Sequence, residues 1–444
     1  MPGFIVKIDG GTESHRDMLN CHLHLETSDD QHTILPSNVQ GATFTRGWTR
    51  PLILAAGLAL LPLFASAAPT GFSACITQLG NEARARGLST ETVDNVLAGL
   101  EHQPRVIELD RAQPEFSQTF AAYLRARVTP ERVRRGRELL ARHDDLLARL
   151  TREYGVPGRY LVAFWGLETN FGSYLGNMPT LDSLATLACD PRRAEYFSGQ
   201  FLIALELLER ESLTPRQMRG SWAGAMGHTQ FMPAAYLEHA VDGDGDGRID
   251  LWASEADALA SAARYLHNLG WNRGERWGRE VGLPADFPWH ESAANARKSL
   301  AEWRALGARR ADGGALPDAE LDAALLLPMG HRGPAFLVYP NFDVIMQWNR
   351  SQSYALSVGY LADRLVGGGE LVATMPENES MPSRARLLGM QERLATLGFD
   401  PGEPDGILGP ATRGALRAFQ LRAELPADGY PDQHTLNALE TYAE

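Results

Sequence analysis

The chain has 444 residues, of which 44% are hydrophobic and 22% are charged, and its formal net charge at pH 7 is −13. A chain of this length is too long for a single hydrophobic core and is expected to form two or three domains. The composition is typical of soluble globular proteins. The acidic balance, without a run of Lys and Arg, argues against a nucleic-acid partner, because phosphates are bound by clustered cations. It is compatible with a neutral sugar substrate.

The first recognisable sequence pattern begins well inside the chain, near residue 46. Arg46 and Arg50 precede an apolar run at 52–64, and three small residues follow at 65–67. This order predicts a leader and signal peptide over residues 1–67, cleaved near Ala67, and therefore an exported, periplasmic protein. The apolar run is too short to span a membrane, so we expect no transmembrane span in the mature chain.

Three cysteines are present, and Cys21 falls in the predicted leader. The remaining pair, Cys75 and Cys189, would reside in an oxidising compartment, which favours a disulfide between them. Two separate buried thiols are the alternative interpretation.

Helical spacing of apolar residues begins near Phe72 and continues to Glu153, with Ser89 or Thr90 available as an N-cap. Further helices are predicted at 193–210, 256–271 and 353–366, whereas strand signals are few. The clearest strand is "AFLVYPNF" at 335–342.

The segment "AFWGLETNFGSYLG" places one carboxylate, Glu168, among aromatic residues. A helix over 159–170 would put four apolar side chains on the face that carries Glu168: Leu161, Phe164, Trp165 and Phe171. Loss of hydration on such a face raises the pKa of a carboxyl group, which is what a general acid requires. The alternative is a helix-end glutamate whose stem packs on aromatics while its head reaches water.

An acidic loop, "DGDGDGRIDLW", follows at 242–252. Asp242, Asp244, Asp246 and Asp250 occupy positions one, three, five and nine of an EF-hand-like loop, and Arg248 offers its carbonyl. Position twelve is an alanine, so Glu255 or Asp257 would have to supply the missing carboxylate. The pattern predicts a structural Ca²⁺ site, with a bare acidic turn as the alternative, and nothing in it suggests a catalytic metal.

Residues 369–383, rich in Gly, Pro and short polar side chains, are predicted to form a flexible linker. The module beyond it, 384–444, contains an internal echo, "DGILGPATRGAL" against "DGYPDQHTLNAL", in which an Asp-Gly turn precedes a helix. Its size supports a small helical core but no buried active site, so we interpret it as a binding module.

Five motifs occur in the order seen in the lytic murein transglycosylase B family: "LVAFWGLETNFG", "SWAGAMGHTQFMP", "DGDGDGRIDLW", "SAARYLHNLGW" and "FLVYPNFDVIMQWNRSQSYALSV". The chain resembles this family over most of residues 72–368, and its C-terminal module resembles a three-helix peptidoglycan-binding domain. The resemblance implies a mainly α fold. It consists of a lysozyme-like helical catalytic domain over 68–368, with a small extra subdomain around 280–335, and a wall-binding module at 384–444.

The resemblance also implies a reaction. Glu168 matches the family's single catalytic carboxylate, which implies cleavage of the β-1,4 bond between N-acetylmuramic acid and N-acetylglucosamine of peptidoglycan strands. The acid protonates the leaving oxygen and then removes the proton of the muramyl 6-hydroxyl, closing a 1,6-anhydro ring without water. No catalytic cofactor is implied, and the expected role is cell-wall remodelling or turnover.

Polar and aromatic positions of the matching motifs are expected to line the substrate groove: Ser221, Gln230, Tyr265, Tyr339, Asn341 and Asn349. Gln230 can both donate and accept a hydrogen bond, which suits an acetamido or hydroxyl group. Trp348 stands where the family often has tyrosine, which puts a hydrogen bond at that position in doubt. His228 stands where relatives often have proline, and we interpret it as a packing or surface residue.

Two other functions remain open on the sequence alone. A hydrolase of the lysozyme type would pair Glu168 with Asp182 and water, although Asp182 is interpreted here as a helix N-cap. A non-catalytic wall-binding scaffold would not depend on Glu168 at all. Analysis of the released muramyl end distinguishes these functions.

Overall fold

The computed structural model describes residues 70–112, 118–292, 296–376 and 380–442. The predicted leader and signal peptide lie outside these ranges. Within them the fold is mainly helical, as predicted. The helices are α1 Thr70–Ala85, α2 Thr90–Gly99, α3 Pro104–Ala112, α4 Phe120–Arg127, α5 Pro130–Arg142, α6 Asp144–Tyr154, α7 Gly158–Thr169, α8 Thr180–Ala188, α9 Ala194–Arg210, α10 Pro233–His239, α11 Glu255–Asn268, α12 Leu300–Ala305, α13 Pro340–Trp348, α14 Gln352–Leu365, α15 Arg384–Thr396, α16 Pro410–Arg422 and α17 Gln433–Thr441.

Local signals account for several helix ends. Ser89 caps α2 by accepting a hydrogen bond from Thr92 N–H, which confirms one of the two predicted caps. Thr129 caps α5, and Pro130 follows at its first position. Gly155 ends α6 in the left-handed region, at φ 78°, where a residue without Cβ is favoured.

Helix α7 is the central element of the large domain. Its residues 160–169 are all buried, and it is surrounded by α5, α6, α11 and α14. A helix that is apolar all round must be buried on every side. The last turn of α7 carries Glu168, so the packing of these helices fixes the position of that carboxylate.

A five-stranded antiparallel sheet forms the small extra subdomain, with the strand order β4-β6-β7-β3-β5. A separate two-stranded pair, β1 with β2, lies earlier in the chain. The strands are β1 Met178–Pro179, β2 Arg219–Gly220, β3 Gly278–Gly282, β4 Arg297–Ser299, β5 Arg309–Arg310, β6 Asp322–Leu326 and β7 Ala335–Val338.

Strand β7 belongs to two cores because its side chains alternate between the faces of the sheet. Phe336 and Val338 join the large helical core. Ala335 and Leu337 join a second cluster that contains Trp303 of α12. All four residues are buried, so the strand reads as a continuous apolar run, and the sheet is packed on both faces.

A disulfide joins Cys75 in α1 to Cys189 at the end of α8, as predicted. The two Cα atoms are 5.9 Å apart, and the bond closes a separation of 114 residues. It ties the first described helix to the segment that follows α8.

The C-terminal module packs α15, α16 and α17 around a core that includes Leu394, Leu416 and Phe419. It contacts the sheet subdomain, where Asp428 Oδ2 lies 2.8 Å from His331 N and 2.7 Å from His331 Nδ1. The expected flexible linker is also in contact there, because the N–H groups of Val372 and Ala373 donate to the Glu280 carboxylate. No helix of the described residues is both long enough and apolar enough to cross a bilayer.

Candidate active site

Glu168 lies in the last turn of α7 and is only 9% exposed. Two side chains donate hydrogen bonds to its Oε1 atom, both at 2.7 Å: the indole Nε1 of Trp348 and the hydroxyl of Tyr354. Both donors are fully buried. The carboxyl group is therefore withdrawn from bulk water and oriented through one of its two oxygens.

Aromatic rings surround the Trp348 indole that donates to this carboxylate. The Trp348 ring centroid lies 4.5 Å from that of Phe164, 5.1 Å from that of Tyr265 and 5.5 Å from that of Phe231. Burial, and secondarily the charge of Glu168, raises the pKa of Tyr354 well above its ordinary value. Tyr354 is therefore protonated and a hydrogen-bond donor at neutral pH.

The predicted apolar face of α7 is only partly correct. Phe164 packs against the Glu168 site through Trp348. Trp165 and Phe171 instead contact each other at 5.8 Å, and Trp165 donates a hydrogen bond to His228 Nδ1 at 2.9 Å. Because α7 is buried all round, helical spacing alone could not show which apolar residues share the side of Glu168.

The turn after Glu168 is held in an unusual backbone conformation. Asn170, Phe171 and Gly172 have φ values of 50°, 61° and 76°, all in the left-handed region. Thr169 Oγ1 fixes the turn by accepting from Gly172 N–H at 3.0 Å and donating to the carbonyl of His228 at 2.7 Å. Positive φ at non-glycine residues stores strain, a feature that clusters at functional sites.

His228 packs beneath this turn. A Cβ atom on Gly172 would lie 2.2 Å from His228 Cε1, so the close approach requires glycine. Burial lowers the pKa of His228 below its ordinary value, and its Nδ1 accepts from Trp165, as a neutral imidazole does. The prediction that His228 is a packing residue and not a second acid agrees with these contacts.

Three of the predicted substrate-binding residues each have one buried polar atom without a hydrogen-bond partner among the described residues: Gln230 Oε1, Asn349 Nδ2 and the Tyr339 hydroxyl. The other polar side-chain atoms of Gln230 and Asn349 are engaged, Gln230 Nε2 with two carbonyls and Asn349 Oδ1 with a backbone N–H. Gln230 is next in sequence to Phe231, which packs on Trp348, and Asn349 is next to Trp348 itself. Buried acceptors and donors of this kind are normally satisfied, so they suit a bound ligand.

Ser221 and Tyr265 also lie in buried parts of the domain. Ser221 Oγ accepts from Ala225 N–H at 3.0 Å and stabilises the turn of the "SWAGAMGHTQFMP" motif. Tyr265 stacks on His239, with ring centroids 4.5 Å apart, and contacts Trp348 on its other side. Tyr265 thus belongs to the group of aromatic rings around Trp348.

Tyr339 and Asn341 make structural contacts elsewhere. Tyr339 belongs to the small core of the sheet subdomain, with the guanidinium of Arg279 lying 5.7 Å from its ring centroid. The Asn341 side-chain amide bonds to the backbone of the 272–275 loop, with Oδ1 accepting from Asn272 N–H and Nδ2 donating to two carbonyls. Their substrate contacts remain predictions.

Asp182, the second carboxylate of the alternative hydrolase interpretation, is hydrogen-bonded to the backbone. Its Oδ1 accepts from the backbone N–H of Glu101 at 3.1 Å, and burial raises its pKa. It lies in the first turn of α8, whose N-cap position is occupied by Pro179, so the N-cap interpretation was wrong. The residue joins α8 to the segment that precedes α3.

Tyr354 was not predicted as a functional residue, and Trp348 was named without a defined role. Both lie in the last matching motif, 180 and 186 positions from Glu168, and only the fold brings them to it. The available signal was the type of residue: Trp and Tyr are amphipathic, and a buried N–H or O–H group requires a partner. The doubt about a hydrogen bond at position 348 is resolved, because the indole supplies one.

The acidic loop brings together a smaller ligand set than predicted. Oxygens of Asp242, Asp244 and Asp257 all lie within 4.8 Å of one another. Asp257, from the first turn of α11, is 1% exposed, and burial raises its pKa. Of the predicted ligands, the carboxylates of Asp246 and Asp250 are outside this group and accept backbone N–H groups within the loop. The contribution of the Arg248 carbonyl stays a prediction.

Comparisons with known proteins identify two domains in the chain. The model of the transglycosylase SLT domain matches residues 71–363, and that of a putative peptidoglycan-binding domain matches residues 384–439. The membrane-bound lytic murein transglycosylase B of Escherichia coli is 37% identical over 251 residues, which are 54% of this chain and 66% of that relative, just under two thirds of its length.

Solved structures extend the comparison. SltB3 from Pseudomonas aeruginosa, in complex with NAG-anhNAM-pentapeptide, is 44% identical with a TM-score of 0.81, and the match covers 84% of this chain and all of that one. The E. coli lytic transglycosylase Slt35, in complex with calcium, is 31% identical with a TM-score of 0.58, covering 68% and 94%. The family model spans well over half of the chain and includes Glu168 with both of its hydrogen-bond donors. The protein is therefore a member of the SLT transglycosylase family, with a peptidoglycan-binding domain at its C-terminus.

Proposed function

We propose that the protein is a lytic murein transglycosylase that uses Glu168 as its single acid and base. The observation that carries the proposal is the buried Glu168 carboxyl group, oriented by Trp348 and Tyr354 through Oε1. Because two donors already engage Oε1, the transferable proton is better placed on Oε2. The relative SltB3 has been crystallised with an anhydromuramyl product, which supports the same chemistry here.

The reaction needs one proton donor that later becomes a base. Glu168 gives its proton to the glycosidic oxygen, and the bond from that oxygen to muramyl C1 breaks. The resulting carboxylate then removes the proton of the C6 hydroxyl, whose oxygen bonds to C1 and closes the 1,6-anhydro ring. Ordinary glycosidases use two carboxylates, one of which activates water or acts as the nucleophile. Here the substrate's own hydroxyl replaces water, so one carboxylate suffices.

Gln230 and Asn349 are proposed to bind the substrate through their buried, unpartnered atoms. Gln230 Oε1 accepts and Asn349 Nδ2 donates, which together match the N–H and C=O of an acetamido group or two hydroxyls. Ser221 and Tyr265 are proposed to shape the same groove. Tyr339 and Asn341 are proposed to act indirectly, by fixing the sheet subdomain.

Mass spectrometry of muropeptides released from purified sacculi tests this proposal. The wild type should release anhydromuramyl ends, which are lighter by one water than reducing muramyl ends, and Glu168→Gln should release neither. Asp182→Asn serves as the matched control and should leave the product unchanged. Reducing ends from the wild type would mean hydrolysis, and full activity of Glu168→Gln would mean a non-catalytic scaffold.

We also infer a structural Ca²⁺ site formed by Asp242, Asp244 and Asp257. Their converging oxygens fit a hard cation that prefers carboxylates, and the relative Slt35 has been solved with calcium. Thermal unfolding should occur at higher temperature with excess CaCl₂ than with EDTA, and Asp257→Asn should reduce that difference. Asp246→Asn is the control. An equal response of the two variants would contradict the inferred ligand set.

Finally, we propose that the protein is exported to the periplasm and that its C-terminal module binds peptidoglycan. Binding to the wall raises the effective concentration of the catalytic domain at its substrate. Loss of the module should therefore weaken action on sacculi more than action on short soluble strands. Equal losses on both substrates would contradict this role.

A further inference from the structure

The C-terminal module contains the same side-chain arrangement twice. In the first half, Gln391 of α15 accepts from Gly406 N–H at 2.7 Å and donates to Asp405 Oδ1 at 3.1 Å and to Thr412 at 2.9 Å. In the second half, Gln420 of α16 accepts from Gly429 N–H at 2.8 Å and donates to Asp428 Oδ1 at 3.0 Å and to Thr435 at 3.1 Å. The internal echo of the sequence is thus a repeated structure, built on a buried glutamine and an Asp-Gly turn.

The repeat extends to the residue after each glycine. Ile407 N–H donates to Asp405 Oδ1, and Tyr430 N–H donates to Asp428 Oδ1, both at 2.8 Å. Each turn therefore uses Oδ1 of its aspartate internally and directs Oδ2 away from the turn. Ile407 and Tyr430 are equivalent apolar neighbours of these two carboxylates.

The second turn shows what such a carboxylate binds. Asp428 Oδ2 accepts from the backbone N–H of His331 at 2.8 Å and lies 2.7 Å from its Nδ1. The side chain of Tyr430 covers Gly330, at which an added Cβ would lie 3.0 Å from Tyr430 Cβ. Asp428 and Tyr430 are both about 5% exposed. This turn thus holds a short backbone segment with an adjacent basic side chain.

The first turn presents the same groups to solvent. Asp405 is exposed, and within the described parts of the chain no hydrogen bond reaches its Oδ2. Ile407 is one of the few large apolar residues that remain exposed, at 39%. Asp400 and Glu403 add negative charge to the same loop, which favours a cationic partner.

We propose that Asp405 and Ile407 form a peptide-binding site, and that its ligand is a stretch of the peptidoglycan stem peptide with a backbone N–H and a free ammonium group. A diamino acid of the stem carries both groups on one residue, as His331 carries a backbone N–H and a basic ring. The proposal rests on the wall-binding role of the module given above and assigns that role to its first half. The second half is occupied by the protein's own sheet subdomain.

Binding of the full chain to purified sacculi tests the site, with Glu168→Gln present throughout so that strands stay intact. Asp405→Asn keeps the Oδ1 acceptor that the turn needs but removes the charge, and should bind about tenfold more weakly, as expected for one charge-assisted hydrogen bond. Glu403→Gln is the matched control, two residues away with the same change in charge, and should stay within about twofold. Ile407→Ser, at an exposed position, provides a second variant that does not depend on the turn's internal bonds and should also bind more weakly.

Sacculi with acetylated amino groups identify the ligand chemistry. Acetylation should weaken binding of the parent protein and abolish the difference between it and Asp405→Asn. Equal binding of Asp405→Asn and Glu403→Gln would overturn the site while leaving the wall-binding role intact. If the parent protein does not bind sacculi at all, the wall-binding role fails and the site fails with it.

Discussion

The hydrogen bonds on Glu168 give the sharpest test of the proposed catalytic site. Tyr354→Phe removes one donor to Oε1 and keeps the ring in place, and Trp348→Phe removes the other. A hydrogen bond to a charged group contributes about 1.5–3 kcal/mol. Because two donors share one oxygen, we use the lower figure, which corresponds to about a tenfold loss in rate for each variant.

The expected loss lies in kcat, measured as release of anhydromuramyl product from soluble glycan strands. KM should change less than about threefold, because neither residue is proposed to bind the substrate directly. The double variant should lose more than the product of the single losses, since each single variant keeps one donor that still orients the carboxyl group and the double variant keeps neither.

Two control variants separate orientation from packing. Trp165 lies in α7, as Glu168 does, and its buried indole donates a hydrogen bond of 2.9 Å to His228 and not to Glu168. Trp165→Phe removes this bond. Tyr236→Phe removes a buried hydroxyl that donates to the carbonyl of Ile249. Both should lower thermal stability and leave kcat within about threefold. Wild-type kcat in Tyr354→Phe would refute the proposed orienting role. Losses of kcat in the two controls as large as those of Tyr354→Phe and Trp348→Phe would refute it as well.

Three further predictions concern stability. Replacing Cys75 and Cys189 with serine should lower the free energy of unfolding by about 2–5 kcal/mol, given the long loop that the disulfide closes, and urea unfolding with and without reductant measures it. Gly359→Ala should destabilise the protein, because the added Cβ would lie 2.1 Å from a Trp277 ring atom. Gly199→Ala, in a helix with open space around the added Cβ, should stabilise the protein by about 0.5–1 kcal/mol, and thermal unfolding of both variants measures the contrast. Burial acts to raise the pKa of Asp428, but its hydrogen bonds outweigh this and hold it below the ordinary value of 3.8. The stability that this carboxylate adds is therefore present above pH 3.8 and is lost as the pH falls through the lower pKa of the folded state. In Asp428→Asn the free energy of unfolding should depend less on pH between about pH 5 and 2.

Short-range patterns predicted the parts of the fold and site that depend on neighbouring residues. Helix spacing, the Ser89 cap, the strand at 335–338 and the Asp-Gly turns of the module all follow from a few consecutive positions. Glu168 was identified in the same way, from one run of aromatic residues. These features need no knowledge of the rest of the chain.

Long-range contacts could not be predicted in this way. The donors to Glu168 come from residues 180 and 186 positions away. Asp257 was one of two residues predicted to complete the acidic loop, but only the fold selects it over Glu255. Helical spacing placed Trp165 and Phe171 on the side of Glu168 but could not show that they contact each other, because a helix buried on all sides has no polar face to set its orientation. Contacts of this kind depend on which elements the fold brings together.

The two hydrogen bonds on Oε1 of Glu168 also explain how one carboxyl group can serve both steps of the proposed reaction. With Oε1 engaged by Trp348 and Tyr354, Oε2 is the atom that gives the proton to the leaving oxygen and the atom that later takes one from the C6 hydroxyl. The carboxyl group stays in place and the sugar rearranges. Rotation of the carboxyl group would cost more free energy, because the buried Trp348 and Tyr354 donors would lose their acceptor during turnover.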